Sequence, residues 1–226
     1  MAQHETSFNT SCQIAEKYED MWQEYYKKRF PNYKELIKTK PEKSVLQAGG
    51  VDRIVIQEDE VPFTADEKTL QNVYEEIAFE YISNSTKGTP GWANKPLMCD
   101  EILYAFGPIG QVFEFDRVTI QKVWKKYGEK WLKNAKDPAT KYSFIVTKET
   151  IVAPGMSYLS YNCAVPIYIV EQVYREELIK QCITPLSRFT YSEEEYLEKK
   201  KEYNEKKSKT LQEKTKEALE RIKKGE

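Results

Sequence analysis

The chain has 226 residues, of which 40% are hydrophobic and 31% are charged, and its formal net charge is −1. This composition predicts a soluble protein with one core-forming domain, or with one such domain and an appendage. The near-zero net charge excludes binding to nucleic acid through overall basicity, so any such contact must use a local patch.

The only histidine, His4, stands near the amino terminus. A single histidine argues against Ser-His-Asp and Cys-His catalysis, histidine-ligated metals and histidine phosphotransfer. An enzyme with this composition must use carboxylates, lysines and hydroxyls. That set suits a hard, oxygen-binding cation such as Mg²⁺.

Three further patterns bear on the compartment. The sequence has no run of about 18 apolar residues, so no membrane span is expected. Its first 20 residues lack the basic and apolar regions of a signal peptide. The 4 cysteines are widely spaced and form no CxxC pair, which argues against a zinc ribbon and predicts reduced thiols in a cytoplasm.

The first half of the chain predicts a helix followed by a strand meander. Apolar residues recur at helical spacing in 12–30, and Pro31 should end that helix. Residues 32–44 are polar and could hold a short helix. Apolar and alternating residues then predict three strands, the first two forming an antiparallel hairpin: 51–56, 61–68 and 77–83.

The second half predicts returning strands and helices, followed by a change of character. From Ser192 onward the sequence holds ten acids and eleven bases, with very few apolar residues. This composition predicts a long, solvated, frayed helix, with a partner-binding or coiled-coil helix as the alternative. The elements before it are a turn-rich loop at 84–92, strands at 101–106 and 111–116, a helix at 117–136, extended segments at 141–153 and 163–170, and a helix at 171–181.

The order of these elements predicts a mixed α/β fold with a central mixed β-sheet flanked by helices. We expect the folded domain to span residues 1–185 and the charged helical extension to span residues 186–226.

Three charged residues stand out at the predicted hairpin. Asp52 lies at the start of its first strand, and Asp66 and Lys68 lie on the second. Residues i and i+2 of a strand share a face, so Asp66 and Lys68 should point together while Glu67 points the opposite way. The two aspartates could ligate Mg²⁺, with the backbone carbonyl of Glu67 as a third ligand. Lys68 could then orient the attacking water or stabilise the charge that develops in phosphodiester hydrolysis.

The acid-x-lysine spacing alone is weak evidence, because it occurs three times, at Asp66, Glu198 and Glu205. The last two lie in the charged C-terminal segment, where this spacing puts the partners on different faces of a helix. Only Asp66 follows an apolar strand and has an aspartate on the strand before it. The competing interpretation is a surface ion-pair cluster at the rim of a hairpin.

Asp52 followed by Asp66-Glu67-Lys68 resembles the split signature of the PD-(D/E)xK nuclease superfamily, which has the restriction-endonuclease-like fold. The sequence looks most similar to small phage and prophage nuclease-like proteins, over roughly residues 15–170. Val51 stands where the signature has proline. Other similar stretches are Gln47–Asp52, Phe79–Tyr81, Gly91-Trp92, Asp100–Tyr104 and Asn162–Ile167.

The resemblance implies a restriction-endonuclease-like core and a metal-dependent nuclease. Asp52, Asp66 and the Glu67 position would hold Mg²⁺, which Mn²⁺ should replace, and Lys68 would be the catalytic lysine. Hydrolysis would leave 5′-phosphate and 3′-hydroxyl ends. DNA is favoured over RNA only because the superfamily favours it.

The resemblance also implies further acids and partners. Glu80 could orient a metal-bound water, with a solvated strand face as the alternative. Many superfamily members carry a glutamate on the helix before the first strand, and Glu19 and Glu24 are both candidates, with a solvated helix face as the competing interpretation. Many members also dimerise to cut two strands, so a homodimer is among the expected assemblies. The expected compartment is the cytoplasm of a bacterial or phage-infected cell.

A local basic patch is predicted for nucleic-acid contact. Lysines on the helix at 117–136 could meet phosphates, and interleaved aromatics could stack on bases. The aromatics Trp124, Tyr127 and Trp131 have the i, i+3, i+7 spacing of core residues, which is the favoured interpretation. Gln47 is a weaker candidate, with a hydrogen bond inside its own loop as the alternative. The candidate lysines are Lys122, Lys125, Lys126 and Lys130.

Two other functions compete with the nuclease. One is a catalytically silent protein of this fold that binds nucleic acid or protein, against which the intact Asp52, Asp66 and Lys68 argue. The other is an interaction protein that works through its charged C-terminal helix. A nuclease should keep its chemistry when residues 191–226 are deleted, whereas an interaction module should lose its partner.

Overall fold

The computed structural model of the chain describes residues 6–7, 16–39, 45–58, 60–146, 150–153, 156–181 and 193–224. Within these ranges the protein is mixed α/β, with a mixed sheet flanked by helices, which confirms the predicted class. The helices are α1 (Glu19–Arg29), α2 (Val45–Ala48), α3 (Arg117–Asn134), α4 (Ile167–Lys180) and α5 (Glu193–Lys224). The strands are β1 (Thr6–Ser7), β2 (Glu35–Lys38), β3 (Arg53–Ile56), β4 (Phe63–Leu70), β5 (Glu76–Asn84), β6 (Thr89–Pro90), β7 (Glu101–Phe106), β8 (Gln111–Asp116), β9 (Ser143–Val146), β10 (Thr150–Ala153), β11 (Met156–Tyr158) and β12 (Tyr161–Pro166).

The central sheet has five strands in the order β2-β3-β4-β7-β8. Strands β3 and β4 form the predicted antiparallel hairpin, with Arg53 opposite Ala65. Strand β7 then pairs with β4 in parallel, which places Asp66 beside Ile102. The outer pairs, β2 with β3 and β7 with β8, are antiparallel.

A second sheet has four strands in the order β6-β5-β12-β9, and all its pairs are antiparallel. It meets the central sheet where the backbone N–H of Ala78 donates to the Tyr104 hydroxyl, at 3.1 Å. The short strands β1, β10 and β11 form a third sheet. The second sheet therefore brings β5 close to the central strands.

The two faces of the central sheet pack against different helices. On one face, Trp22 and Tyr26 of α1 pack with Ala65 of β4. On the other face, Ile102 of β7 packs in a larger core that includes residues of α3, α4 and β5. Side chains on a strand alternate between faces, so Asp66 and Lys68 share the Ile102 side while Glu67 faces α1.

Two predicted elements need correction. Residues 35–38 form strand β2 instead of the suggested short helix, because they pair along the edge of β3. The segment predicted as extended at 163–170 ends as a strand at Pro166, and its last four residues open α4. Proline has no N–H to continue the strand ladder, and its fixed φ suits the start of a helix. The predicted start of the first helix, at residues 12–15, lies outside the described residues; Glu16 and Lys17 are helical, Tyr18 is a turn, and α1 follows from Glu19 to Arg29.

The aromatic residues of α3 are core residues, as their spacing predicted. Trp124 and Trp131 are buried, and Tyr127 packs partly buried against the same core. Across the described ranges, no helix combines the length and the apolar character that crossing a membrane requires.

The charged C-terminal helix α5 does not project entirely into solvent. The Tyr196 hydroxyl donates to the backbone oxygen of Tyr74 at 3.2 Å, and the Tyr203 hydroxyl donates to Asn72 at 3.1 Å. Lys200 forms an ion pair with Glu75 at 2.7 Å. The first turns of α5 are therefore anchored to the loop before β5.

Candidate metal and catalytic site

The hairpin brings Asp52, Asp66 and Lys68 together. The Lys68 ammonium donates to Oδ1 of Asp66 at 2.5 Å. Oδ2 of Asp52 accepts the backbone N–H of Glu67 at 2.9 Å, which places the Asp52 carboxylate beside the next strand. Asp66 is only 2% exposed, while the Lys68 side chain is about one-third exposed, at 32%. This is not a solvated rim, because its central carboxylate is buried.

The local sequence explains how the chain reaches this arrangement. Gly50 has a φ of +76°, a conformation that favours glycine, and it turns the chain from α2 into β3. A Cβ on Gly50 would lie 2.4 Å from Leu97 Cδ2 and 3.8 Å from Asp66 Cγ. The N–H of Asp52 then donates to the oxygen of Ala65 at 2.8 Å, which fixes the register next to Asp66.

The second carboxylate oxygen of Asp66 has an unusual environment. Oδ2 is buried and makes no hydrogen bond within the described structure. Burial, and then the neighbouring Asp52 carboxylate, raise the pKa of Asp66 from 3.8 to about 7, against the opposing effect of Lys68. A buried acceptor without a donor is costly, and two close carboxylates repel. A proton or a bound cation at Oδ2 would relieve both effects.

Lys68 carries a positive charge at neutral pH. Burial alone would lower its pKa, but the charges of Asp66, Asp52 and Glu80 together hold the pKa above its ordinary value. The Lys68 side chain can therefore donate hydrogen bonds and supply positive charge, but it cannot serve as a general base near neutrality.

Glu80 lies on β5 and faces this group from the second sheet. Burial raises its pKa, although Lys68, a hydrogen bond with Ser160 and the backbone N–H of Trp92 oppose that rise. Within the described residues, no set of three or more His, Cys, Asp or Glu side chains is placed to hold one metal ion. Glu80 therefore interacts electrostatically with Lys68 but does not complete a three-carboxylate cluster with Asp52 and Asp66.

The side chain of Glu67 points away from the site, as alternation predicted. Its carboxylate accepts from Arg53 Nε at 2.9 Å on the α1 side of the sheet. Only the backbone carbonyl of Glu67 could be a ligand beside Asp66, and its carboxylate could not. Oxygen donors from two aspartates and a carbonyl fit a hard divalent cation such as Mg²⁺.

Neither candidate glutamate of α1 reaches the aspartates. Glu19 accepts hydrogen bonds from Arg53 and Lys38 on the opposite face of the sheet. Partial burial would raise the pKa of Glu19, but bonds from Arg53, Lys38 and Gln23 lower it to about 2. Glu24 is exposed, which matches a solvated helix face.

Among the described residues, the other candidates make no hydrogen bond or ion pair with Asp52, Asp66 or Lys68. Gln47 is half-buried in α2, and its backbone oxygen accepts the N–H of Gly50 at 2.9 Å. The α3 lysines are all exposed, and no hydrogen bond or ion pair among the described residues joins them to Asp52, Asp66 or Lys68. They form a separate surface, consisting of Lys122, Lys125, Lys126 and Lys130, which we call the lysine surface.

The lysine surface is organised by one carboxylate. Lys122 and Lys126 lie 3.4 and 2.6 Å from Glu177 of α4, whose side chain is only 3% exposed. Lys180 of α4 joins the same carboxylate at 3.1 Å. Bonds from Lys126 and Lys180 lower the pKa of Glu177 to about 2. Three cations around one anion leave net positive charge on this surface.

Sequence reasoning missed several residues of these clusters. Lys180 could not be assigned to the lysine surface, because only the packing of α3 on α4 brings it there. Ser160 likewise reaches Glu80 only through the pairing of β12 with β5. Arg53 did leave a signal: a charged residue within an apolar strand must find a partner when it is buried.

Gly91 allows the close packing around Glu80. A Cβ at Gly91 would lie 2.3 Å from the backbone oxygen of Glu80 and 2.6 Å from its Cγ. We expect Gly91→Ala to lower the free energy of unfolding by about 1–3 kcal/mol, because either β5 or the loop must shift. Urea denaturation measures this loss.

Gly88→Ala is the control for that prediction. Its Cβ would have no neighbour within 4 Å, but its φ of +63° strains any side chain. Backbone strain of this kind costs about 1 kcal/mol. Gly91→Ala should therefore destabilise the protein more than Gly88→Ala does, and a smaller loss for Gly91→Ala than for Gly88→Ala would show that packing against Glu80 contributes little.

Compared with protein-family models, with curated proteins and with solved structures, the chain shows no match. The function of the site must therefore be inferred from its residues and their geometry.

Proposed function

We propose that the protein is a metal-dependent nuclease that hydrolyses phosphodiester bonds, with DNA as the favoured substrate. The observation that carries this proposal is the buried, unpartnered Oδ2 of Asp66, which lies beside Asp52 while Lys68 occupies the other oxygen. A plain ion pair explains Lys68 and Oδ1. It leaves Oδ2 without a role, whereas a cation site gives it one.

The proposal includes a restriction-endonuclease-like core. A hairpin of β3 and β4 followed by the parallel strand β7, with α1 and α3 on opposite faces, supports that assignment. The resemblance of Asp52 and Asp66-Glu67-Lys68 to the PD-(D/E)xK signature supports it further, because these residues lie on the hairpin.

In this proposal the residues have separate roles. Asp52, Asp66 and the carbonyl of Glu67 would hold Mg²⁺, for which Mn²⁺ could substitute. When bound, such a cation supplies positive charge for the scissile phosphate and lowers the pKa of a water. Lys68, held protonated, donates to a phosphate oxygen or to the attacking water and stabilises developing negative charge. Glu80 lies where its carboxylate can accept a hydrogen bond from a water near Lys68.

A cleavage assay tests this function. Labelled single-stranded, duplex and branched DNA, and RNA, would each be incubated with protein in Mg²⁺, Mn²⁺ or EDTA. We expect cleavage that needs the metal, disappears in Asp66→Ala/Lys68→Ala and survives in Glu75→Ala/Lys200→Ala. The control removes another acid–lysine pair, whose atoms lie 2.7 Å apart on the surface. Metal-independent cleavage, or equal cleavage by both variants, would refute the proposed site.

The lysine surface is proposed to contact DNA phosphates. Within the described structure, Lys125 and Lys130 make no ion pair, so their charges are available to a partner. We expect Lys125→Ala/Lys130→Ala to weaken DNA binding and to reduce the slope of log affinity against log salt by about 0.9 per lysine. Fluorescence anisotropy over a salt series measures both quantities.

Lys27→Ala/Lys28→Ala is the matched control for the lysine surface. Both residues are exposed at the end of α1, which lies on the other face of the central sheet. An equal change of salt slope in this pair would assign the effect to overall charge rather than to the lysine surface.

A second candidate is a catalytically silent nucleic-acid-binding or protein-interaction module that works through α5. It is favoured by the small number of metal ligands at the site, because the described residues place only two carboxylates there and no third. Deletion of 209–226 removes the distal part of α5 and keeps the contacts of Tyr196, Lys200 and Tyr203. Cleavage that persists in this truncated protein supports the nuclease. If neither the full-length nor the truncated protein cleaves, and the truncation loses a bound partner, the interaction module is supported.

A further inference from the structure

A buried charged network lies directly behind the aspartate pair. Arg53 is 1% exposed, although it carries a full charge on an otherwise apolar strand. Its guanidinium binds Glu67 with bonds of 2.9 and 3.3 Å and binds Glu19 with bonds of 3.0 and 3.2 Å. The ring of Tyr26 lies 5.5 Å from the guanidinium carbon. Two carboxylates and one ring thus hold this side chain in a single place.

The partners in this network are chain neighbours of the site residues. Arg53 directly follows Asp52, and Glu67 stands between Asp66 and Lys68. Because strand side chains alternate, a bond between Arg53 and Glu67 on one face fixes the backbone that carries the aspartates on the other.

The backbone of Glu67 links the two faces directly. Its N–H donates to Oδ2 of Asp52 at 2.9 Å, while its carboxylate accepts from Arg53. The backbone of Glu67 therefore orients the Asp52 carboxylate. The side chain of Glu67 is held in turn by Arg53, the residue that follows Asp52. A shift of the Glu67 side chain would move the donor that aims Asp52 towards Asp66.

We propose that Arg53 and Glu67 form a positioning pair, which sets the separation and orientation of the Asp52 and Asp66 carboxylates from the opposite face of the sheet. Neither side chain touches the cation or the substrate. This inference deepens the proposed function and rests on it, because the pair acts through the metal ligands.

A purely structural role explains the pair less well. A buried ion pair contributes little net stability, and replacing both partners with apolar side chains is often neutral or stabilising. Apolar residues would also suit the α1 face, where Trp22 and Val55 already pack. What apolar residues cannot supply is the directional bond from Arg53 that fixes the Glu67 peptide.

The test separates position from stability. In Arg53→Met/Glu67→Met both charges are replaced by apolar side chains of similar length, and in Glu67→Gln only one charge is lost. Lys38→Met is the matched control, since Lys38 binds Glu19 at 2.5 Å in the same network without contacting Glu67. Each full-length variant would be studied by Mg²⁺ calorimetry, thermal unfolding and hydrogen exchange of the residue-67 backbone amide.

We expect the double variant to bind Mg²⁺ about 10- to 100-fold more weakly, the range typical of residues that orient metal ligands. Its residue-67 amide should exchange faster, while its unfolding temperature changes little. Glu67→Gln should change affinity and exchange in the same direction by less, and Lys38→Met should match the unaltered protein. If the double variant does not fold, the result for Glu67→Gln decides the test.

Wild-type Mg²⁺ affinity and wild-type amide exchange in these variants would overturn the positioning role. If the unaltered protein binds no Mg²⁺, the proposed function fails, and the exchange rate alone decides the inference. Faster exchange would then support the positioning of Asp52, and an unchanged rate would refute it.

Discussion

Asp66→Asn should abolish metal-dependent cleavage and yet stabilise the protein at pH 8. The rate should fall by about 10³-fold or more, because the amide cannot supply the negative charge that a divalent cation needs. The stability gain follows from burial, because Asn resembles the neutral form of a carboxyl group that the folded protein resists ionising. Cleavage rates and urea denaturation of the same samples measure both effects.

The sign of the stability effect depends on pH. Since folding raises the pKa of Asp66 from 3.8 to about 7, the carboxyl group stabilises the fold most when protonated, and this contribution is lost as pH rises from about 4 through 7. The upper bound of the loss is about 4 kcal/mol, at about 1.4 kcal/mol per tenfold change in proton affinity. The variant should therefore match the unaltered protein at pH 4 and exceed it at pH 8.

Asp100→Asn is the control for this stability gain. Its Oδ2 accepts both the N–H and the hydroxyl of Thr64, each at 2.8 Å, so this carboxylate is well satisfied. Its replacement should lower stability, by about 1 kcal/mol. Destabilisation of Asp66→Asn at pH 8 would contradict the view that Oδ2 lacks a partner in the metal-free protein.

Mg²⁺ affinity should rise steeply with pH up to about pH 7 and then level off. Asp66 must release its proton to bind a cation, so affinity should fall about tenfold for each pH unit below its pKa. The same linkage predicts that Mg²⁺ raises the unfolding temperature more at pH 8 than at pH 6. Calorimetry and thermal unfolding between pH 5.5 and 8.5 give the two profiles.

Other groups near Asp66 must be separated from this profile. Burial and the Asp66 charge raise the pKa of Cys99 to about 12, and the surrounding acids hold that of Lys68 above its ordinary value, so neither titrates in this range. Glu80 has a raised pKa and could contribute. Glu80→Gln should keep the pH dependence if Asp66 causes it. An affinity that does not change between pH 5.5 and 8 would exclude proton release by Asp66.

The sequence was sufficient to predict the hairpin and the faces of β4. Alternation alone predicts that Asp66 and Lys68 share a face and that Glu67 points away, and the structure places them so. The helical spacing of Trp124 and Trp131 likewise predicts their burial. These features follow from local periodicity, which a single segment contains completely.

The features that the sequence did not predict depend on long-range packing. Strand β2 exists because residues 35–38 find the edge of β3, and no local pattern encodes that pairing. Glu19 is drawn into an ion pair by Arg53, 34 residues away, so its helix position alone was uninformative. The burial of Asp66 distinguishes a cation site from a charged rim. It arises only in the folded protein, where the Gly50 turn lies next to the Asp66 carboxylate.

Anomalous diffraction from crystals soaked in Mn²⁺ tests the central claim most directly. The account predicts an anomalous peak at the unpartnered oxygen of Asp66, within ligand distance of Asp52 and the Glu67 carbonyl, and its loss in Asp66→Asn crystals. The contradicting result is no anomalous peak between Asp52 and Asp66 at a saturating Mn²⁺ concentration. In that case Mn²⁺ peaks elsewhere in the crystal would show that the ion had entered, and Asp52 and Asp66 would be unchanged.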